Sequence, residues 1–288
     1  MEIFFQQILN GIVIGSVYSL VALGLTLMFG ILEIPNFGHG SICMVGAFAT
    51  FYLTTLAGFN FYLAVLTAMV ITGVLGYGIE KIFFKPIRGK GLDAGLIAAL
   101  ALALFVENLG LKVFSEQTRT IPSDTVILNF AGITISSQRL MAVAVSVIAI
   151  IILQLFIKRT RLGKAMRATA ENPKAASLMG INIDTISTAT FVIGSALAGL
   201  AGSMIGSMFS VYPTMGGVLI MTAFVIVVLG GLGNIAGAIM GGYILGLAVS
   251  LGGGYAGTRM HDAFPFIILV LVMIIKPTGL FGERKREA

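Results

Sequence analysis

The sequence predicts an all-α fold: a polytopic transmembrane helix bundle of about nine spans, N-terminus outside, C-terminus cytoplasmic, with a short helix on the cytoplasmic surface. Three observations predict it. Of 288 residues 57% are hydrophobic and only 10% charged, where a soluble domain carries about a quarter charged residues. Mean hydropathy is +1.02. Long stretches hold no Asp, Glu, Lys or Arg, and the basic residues gather in a few short segments.

This composition excludes most soluble enzyme folds, and it makes the net charge of +6 a topology signal rather than a mark of nucleic-acid binding. The single cysteine, Cys43, allows neither an internal disulfide nor a paired-thiol metal site. No basic segment precedes the first apolar run, so that run is read as a retained span.

A crossing needs about 20 apolar residues. Residues 3–32 supply the first span, and the uncharged stretch 34–79 is long enough for two, divided at Gly58-Phe59-Asn60. Residues 94–114 and 139–157 give one each. The uncharged stretch 185–258 holds three, divided at Tyr212-Pro213 and near Gly230 to Asn234, and 262–276 gives the last. Eight spans plus one re-entrant segment is the alternative count. The whole chain, 1–288, reads as a single membrane domain.

Short loops rich in Lys and Arg stay in the cytoplasm. The basic clusters are Lys81 to Lys90, Lys158 to Lys174, and Lys276 with Arg284, Lys285 and Arg286. Even numbers of spans between them put all three on one side, which places the N-terminus outside.

The sizeable external loop is 115–138. Its apolar β-formers flank Asn129 to Gly132 and predict a short hairpin over 125–135. Such a loop is either a lid on the bundle or a docking surface for an external partner.

The 37 glycines are concentrated in the spans. Pairs such as Gly11/Gly15, Gly73/Gly76, Gly194/Gly199 and Ala198/Gly202 have the spacing that lets helix backbones approach closely. Two places read instead as broken helices: Phe29 to Ser41, with Glu33, Pro35, Asn36 and His39 in an apolar run, and Leu229 to Gly237, with four glycines and Asn234. Non-helical backbone at membrane depth must be buried in protein or line a wet cavity. A matched pair of such segments points to a substrate path, and the candidate path residues are Asn36, His39, Ser41 and Asn234. Each break is otherwise a tight turn between neighbouring spans. Glu33 and His39 either line the path or pair at an interface, Glu107 with Asn108 reads as a bundle-facing polar cluster, and His261-Asp262 lies at an interface.

The cytoplasmic segment 158–183 is neither a tight turn nor a flexible linker. Asn172 is an N-cap with Pro173 in the first helical position, Lys174 to Met179 are good helix formers, and Gly180 terminates them. A short helix along the membrane surface follows, preceded by another turn or two of basic helix. Its exposed face is read as Ala175, Ala176, Leu178 and Met179, which a soluble partner can bury in a groove.

Lys174-Ala175-Ala176-Ser177-Leu178-Met179-Gly180 resembles the Glu-Ala-Ala-x-x-x-Gly loop of ABC importer permeases, with Lys174 where the family has Glu. Arg167-Ala168-x-x-x-Asn172-Pro173 before it, Gly24 to Gly30, Pro35 to Gly40 and Gly230 to Gly237 make the chain similar to the high-affinity branched-chain amino acid permeases, in their shorter, loop-poor form. The resemblance runs over essentially the whole chain. It implies a heteromeric importer in a bacterial inner membrane: two related permease subunits, two cytoplasmic ATP-binding subunits and an external substrate-binding protein. Arg167, Asn172, Pro173, Lys174, Ala175, Ala176 and Gly180 would then carry coupling to the ATPases, with no ion pair assigned to Lys174.

The chain lacks a Gly-x-x-x-x-Gly-Lys-Ser/Thr phosphate loop, so ATP is expected on partner subunits and no cofactor on this chain. It is not expected to be an enzyme, because two histidines far apart and few acidic residues give no catalytic constellation. A secondary transporter would want several buried carboxylates as coupling-ion ligands, and these are scarce. Urea or short amides are the alternative substrate class.

Overall fold

The computed structural model describes residues 2–32, 36–122, 125–130, 133–257, 263–276 and 279–282. Among them the chain forms α1 (Glu2–Leu32), α2 (Gly38–Thr55), α3 (Phe61–Ile79), α4 (Leu92–Phe114), α5 (Ser137–Arg159), α6 (Arg161–Glu171), α7 (Pro173–Leu178), α8 (Ile183–Met208), α9 (Met215–Gly230), α10 (Ile235–Ala256) and α11 (Phe264–Ile275). A π-helical turn, Glu80–Phe84, and a 3-10 turn, Lys85–Ile87, follow α3. Strands β1 (Ile127–Phe130) and β2 (Ile133–Ser136) pair antiparallel, with Ile127 opposite Ser136, where the sequence places the hairpin; Ala131 and Gly132 lie outside the described residues, as do Glu33, Pro35, His261, Asp262, Arg284, Lys285 and Arg286.

The chain is an all-α polytopic bundle. Helices occupy each of the segments read as spans. Six of them, α1, α3, α4, α5, α8 and α10, are long and apolar enough to cross a membrane by themselves, whereas α9 has 16 residues and α11 has 12. Local sequence explains where most helices start. A side-chain oxygen at Asn60, Ser136, Thr160, Asn172, Asn182 and Asn234 accepts a backbone N–H two or three residues on, satisfying donors that the first turn would leave open.

The centre of the bundle is built on small residues, because dispersion between close backbones replaces the hydrophobic drive that lipid removes. Helices α1 and α10 run antiparallel in contact: Gly11 meets Leu247, Gly15 meets Tyr243 and Gly242 meets Ser19, and Gly30 meets Gly233 of the turn that leads into α10. On α8, Gly199 seats Thr72 of α3, and a Cβ on Gly202 would lie 1.9 Å from the Cys43 carbonyl of α2. Direct hydrogen bonds add to this packing, with Ser19 Oγ donating to the Ile239 carbonyl at 3.0 Å and Thr50 and Ser203 hydroxyls 2.7 Å apart.

Of the two readings of each broken segment, the structure has the connection between neighbouring helices, where the span count divides the chain. Helix α1 continues through Gly30 to Leu32, and α2 begins at Gly38. The second segment is a turn from α9 into α10, in which Gly231 (φ +95°) and Gly233 (φ +80°) take the left-handed conformation that other residues adopt only under strain. Gly30 rests on Gly233, so both connections share one end of the bundle. Ile31 packs with Met166 of α6 and Ile186 of α8, so α6 and α7 lie at that same end. The hairpin marks the opposite end, tied to α1 through Gln6 and Thr134.

Candidate functional site

Asn36, His39 and Ser41 are all buried at the start of α2, with relative exposures of 1%, 0% and 3%. Asn36 Oδ1 accepts the Gly38 N–H at 3.1 Å, and its Nδ2 reaches Met28 Sδ at 3.4 Å. His39 Nε2 lies 3.0 Å from the Val21 carbonyl. A carbonyl only accepts, so the proton is on Nε2. Its Nδ1 has no hydrogen-bond partner among the described residues. The ring fits because position 24 is glycine: a Cβ there would stand 2.5 Å from His39 Cε1. Ser41 Oγ donates to the Ala103 carbonyl of α4 at 3.3 Å, and Phe37 stacks on Phe224 of α9.

Asn234 stands apart from these three as the N-cap of α10. Its Oδ1 accepts the Gly237 N–H at 2.9 Å, and its Nδ2 donates to the Phe281 carbonyl at 2.9 Å. Three of the four candidate path residues therefore stand close in sequence with their side chains bonded separately to α1 and α4, and the fourth belongs to the neighbouring turn.

At the same end, α6 and α7 form a ledge. Asn172 Oδ1 accepts the Ala175 N–H at 3.0 Å, and Pro173 occupies the first turn of α7. Gly180 ends the segment at φ +83° with open space around it. Arg167, Lys174 and Ala175 are exposed, and the apolar side chains Leu178 and Met179 are 89% and 83% exposed. Ala176 is a correction: it is 4% exposed and turns inward, because in a helix of under two turns the residue two before Leu178 falls on the opposite side. The outward face of α7 is Ala175, Leu178 and Met179.

One charged cluster was not visible in the sequence. Arg88 contacts both Glu80 and Asp184, and its guanidinium also donates to Ser187 Oγ at 2.6 Å. Lys85 reaches Asp184 at 3.1 Å, and Thr188 donates to Glu80 at 2.9 Å. The Glu80 side chain is fully buried, so its charge is held by Arg88 and Thr188 rather than by water. The cluster fixes the turns after α3 to the first turn of α8, a few residues beyond α7. The available signal was that Glu80 and Asp184 border two of the uncharged stretches, which left their partners unspecified.

Glu107 and Asn108 do not form a bundle-facing cluster. Glu107 is half-buried and Asn108 is exposed on the outer side of α4. At the hairpin end, a cavity of about 440 Å³ is lined by Gln7, Asn10, Arg139 and Ser250 with apolar neighbours, and Arg139 donates to Asn10 Oδ1 at 2.8 Å. Among the described residues no group of His, Cys, Asp and Glu could hold a metal ion.

Comparison with known proteins bears on this arrangement. Residues 7–273 match the model of the family described as branched-chain amino acid transport system / permease component. The chain is 35% identical to the high-affinity branched-chain amino acid transport system permease protein LivH of Escherichia coli K12, over 99% of this chain and 97% of that one. It is also similar to the permease protein LivM of the same kind of system from Salmonella typhimurium, 26% identical over 92% of this chain and 67% of LivM. Among solved structures, PsaBC from Streptococcus pneumoniae in complex with Fab superposes with a TM-score of 0.53 at 14% identity, covering 93% of this chain and 91% of that one, a likeness of fold.

Proposed function

The chain belongs to the branched-chain amino acid transport permease family, and from that premise we infer that it is the membrane-spanning permease subunit of an ATP-driven ABC importer that moves branched-chain amino acids across a bacterial inner membrane. The observation that carries this reading is a near full-length family match in a chain that also presents α7, capped at Asn172 and stopped at Gly180, as an exposed ledge beside the helix connections.

In this reading the ledge end is cytoplasmic and the hairpin end is external, and nine helices cross or enter the membrane. The positions of the basic clusters support the orientation. Two ATP-binding subunits receive the faces of α7 and α6, a second and related permease completes the membrane core, and an external binding protein docks at the hairpin end. Cofactor and covalent chemistry are absent from this chain, and ATP is hydrolysed on the partners.

Closure of the ATPases displaces α7. That displacement enters α8 through Ile181 and Asn182, and Arg88 carries it into the base of α3, since Glu80 and Asp184 are bound to the same guanidinium. The end of α1 that leads toward Asn36, His39 and Ser41 lies against α8 and α6 through Ile31. Rearrangement there opens the substrate path, with Asn234 on the adjoining turn.

The test is reconstitution in liposomes of the complex purified with its partners, measuring uptake of labelled leucine, isoleucine, valine and urea. ATP-dependent uptake of the amino acids, abolished by a hydrolysis-deficient ATPase subunit, is the expected result. Uptake by the isolated chain without ATP would establish a secondary transporter instead, and uptake of urea alone would move the substrate to the amide class.

A further inference from the structure

Helix α4 is the least enclosed of the six membrane-length helices: 22% of its most apolar stretch is buried, against 78% for α1 and for α8. Its outer surface carries Ile97, Ala101, Leu104 and Asn108, all exposed. Their spacing of four, three and four residues is that of a seam between two packed helices. Asn108 lies six residues before the end of α4, about 9 Å along the axis at 1.5 Å per residue, with half-buried Glu107 beside it. Both fall inside the apolar, membrane-length stretch Asp93–Phe114.

The other outward faces differ. On α5 the exposed residues Val147, Ile148, Ile151, Ile152 and Leu155 are aliphatic throughout. The groove of about 550 Å³ between α3 and α5 over α8 is lined by apolar side chains. Acyl chains suit those surfaces and do not suit α4. A polar side chain facing lipid has no partner beyond its own helix, and Asn108 Nδ2 is already turned back onto the Leu104 carbonyl at 2.8 Å. That bond takes one of the two N–H donors of the amide.

We propose that this stripe of α4 is the seam on which the second permease subunit packs, with the Asn108 side chain hydrogen-bonding across to a polar group of the facing helix. The proposal rests on the reading of this chain as one of two permeases. A single asparagine in an apolar seam fixes register and partner, which a heteromeric pair of similar chains requires. LivH and LivM are both similar to this chain, so a quasi-twofold contact between like helices closes the pair without leaving a repeating edge.

The experiment uses the whole complex in its native membrane. A photoreactive benzoylphenylalanine replaces Leu104 or Lys112 on α4, or Ile148 or Ile152 on α5 for comparison, and adducts are identified after illumination. Adducts with the second permease from the α4 positions and not from α5 support the seam; the reverse pattern, or no permease adduct from α4, overturns it. In parallel, Asn108→Leu is expected to lower the second permease recovered per copy of this chain by roughly threefold to tenfold, with Asn108→Gln retaining most of it. Full recovery with Asn108→Leu, the result for a lipid-facing residue, overturns the proposal. A wild-type preparation that holds no second permease overturns the functional reading itself, which separates the two failures.

Discussion

Arg88 holds the carboxylate of Glu80 in a site where the Glu80 side chain has no exposure to solvent; Glu80 opens the π-helical turn after α3, and Arg88 directly follows the 3-10 turn. Arg88→Ala leaves that charge uncompensated and is expected to cost about 3 kcal/mol, the lower end for a broken buried pair because Arg88 itself is 25% exposed. Melting of the purified complex reads this loss directly. Asp184→Asn, at a side chain 49% exposed, should cost less than about 1 kcal/mol. Equal losses from the two variants would mean that the burial of Glu80 is irrelevant.

The outward face of α7 makes a different kind of prediction. Leu178→Asp or Met179→Asp, at exposed positions, should leave expression and melting unchanged while ATP hydrolysis continues with transport reduced at least about tenfold, equivalent to roughly 1.4 kcal/mol of lost coupling. Ala176→Asp should lower folded yield as well, because a carboxylate is forced into a buried site. Hydrolysis and uptake measured on the same liposomes separate the two.

Asn172→Ala removes the N-cap of α7 and should destabilise the ledge by about 1 kcal/mol. The expected signature is faster amide exchange over residues 174–179 with unchanged protection in α8. Unchanged exchange over α7 would show that packing on α6 alone maintains it.

Gly202→Ala brings a methyl group to 1.9 Å from the Cys43 carbonyl. Backbone must shift to admit it, at an expected cost of about 1–3 kcal/mol, visible as loss of monodisperse protein in detergent. Gly78→Ala and Gly217→Ala, with nothing within 4 Å, should be neutral in the same assay.

What the sequence disclosed was the chemistry that acts over a few residues. Asn172, Pro173 and Gly180 announce α7 because capping and termination are local, and the apolar runs announce the helices because a bilayer imposes their length. The direction of Ala176 was not legible, since six residues hold too little periodicity to assign a face. The division of spans near Gly230 to Asn234 was legible, but the choice between a tight turn and a break lining a path was not, because the same residues serve either use and only depth distinguishes them. The grouping of Glu80, Arg88 and Asp184 depends on α3 and α8 being neighbours, a tertiary fact about residues some hundred positions apart.

The close packing of α1 on α10 through small residues also sets an order in time. Ribosomes deliver α1 first, yet the surface that receives Gly11, Gly15 and Ser19 is made more than 200 residues later. Until α10 arrives, α1 must wait in the insertion machinery or in lipid with its small-residue face uncovered. A chain stopped before Ile235 should therefore be recognised and degraded as an orphan, and mild slowing of translation late in the message should matter more to yield than slowing near its start.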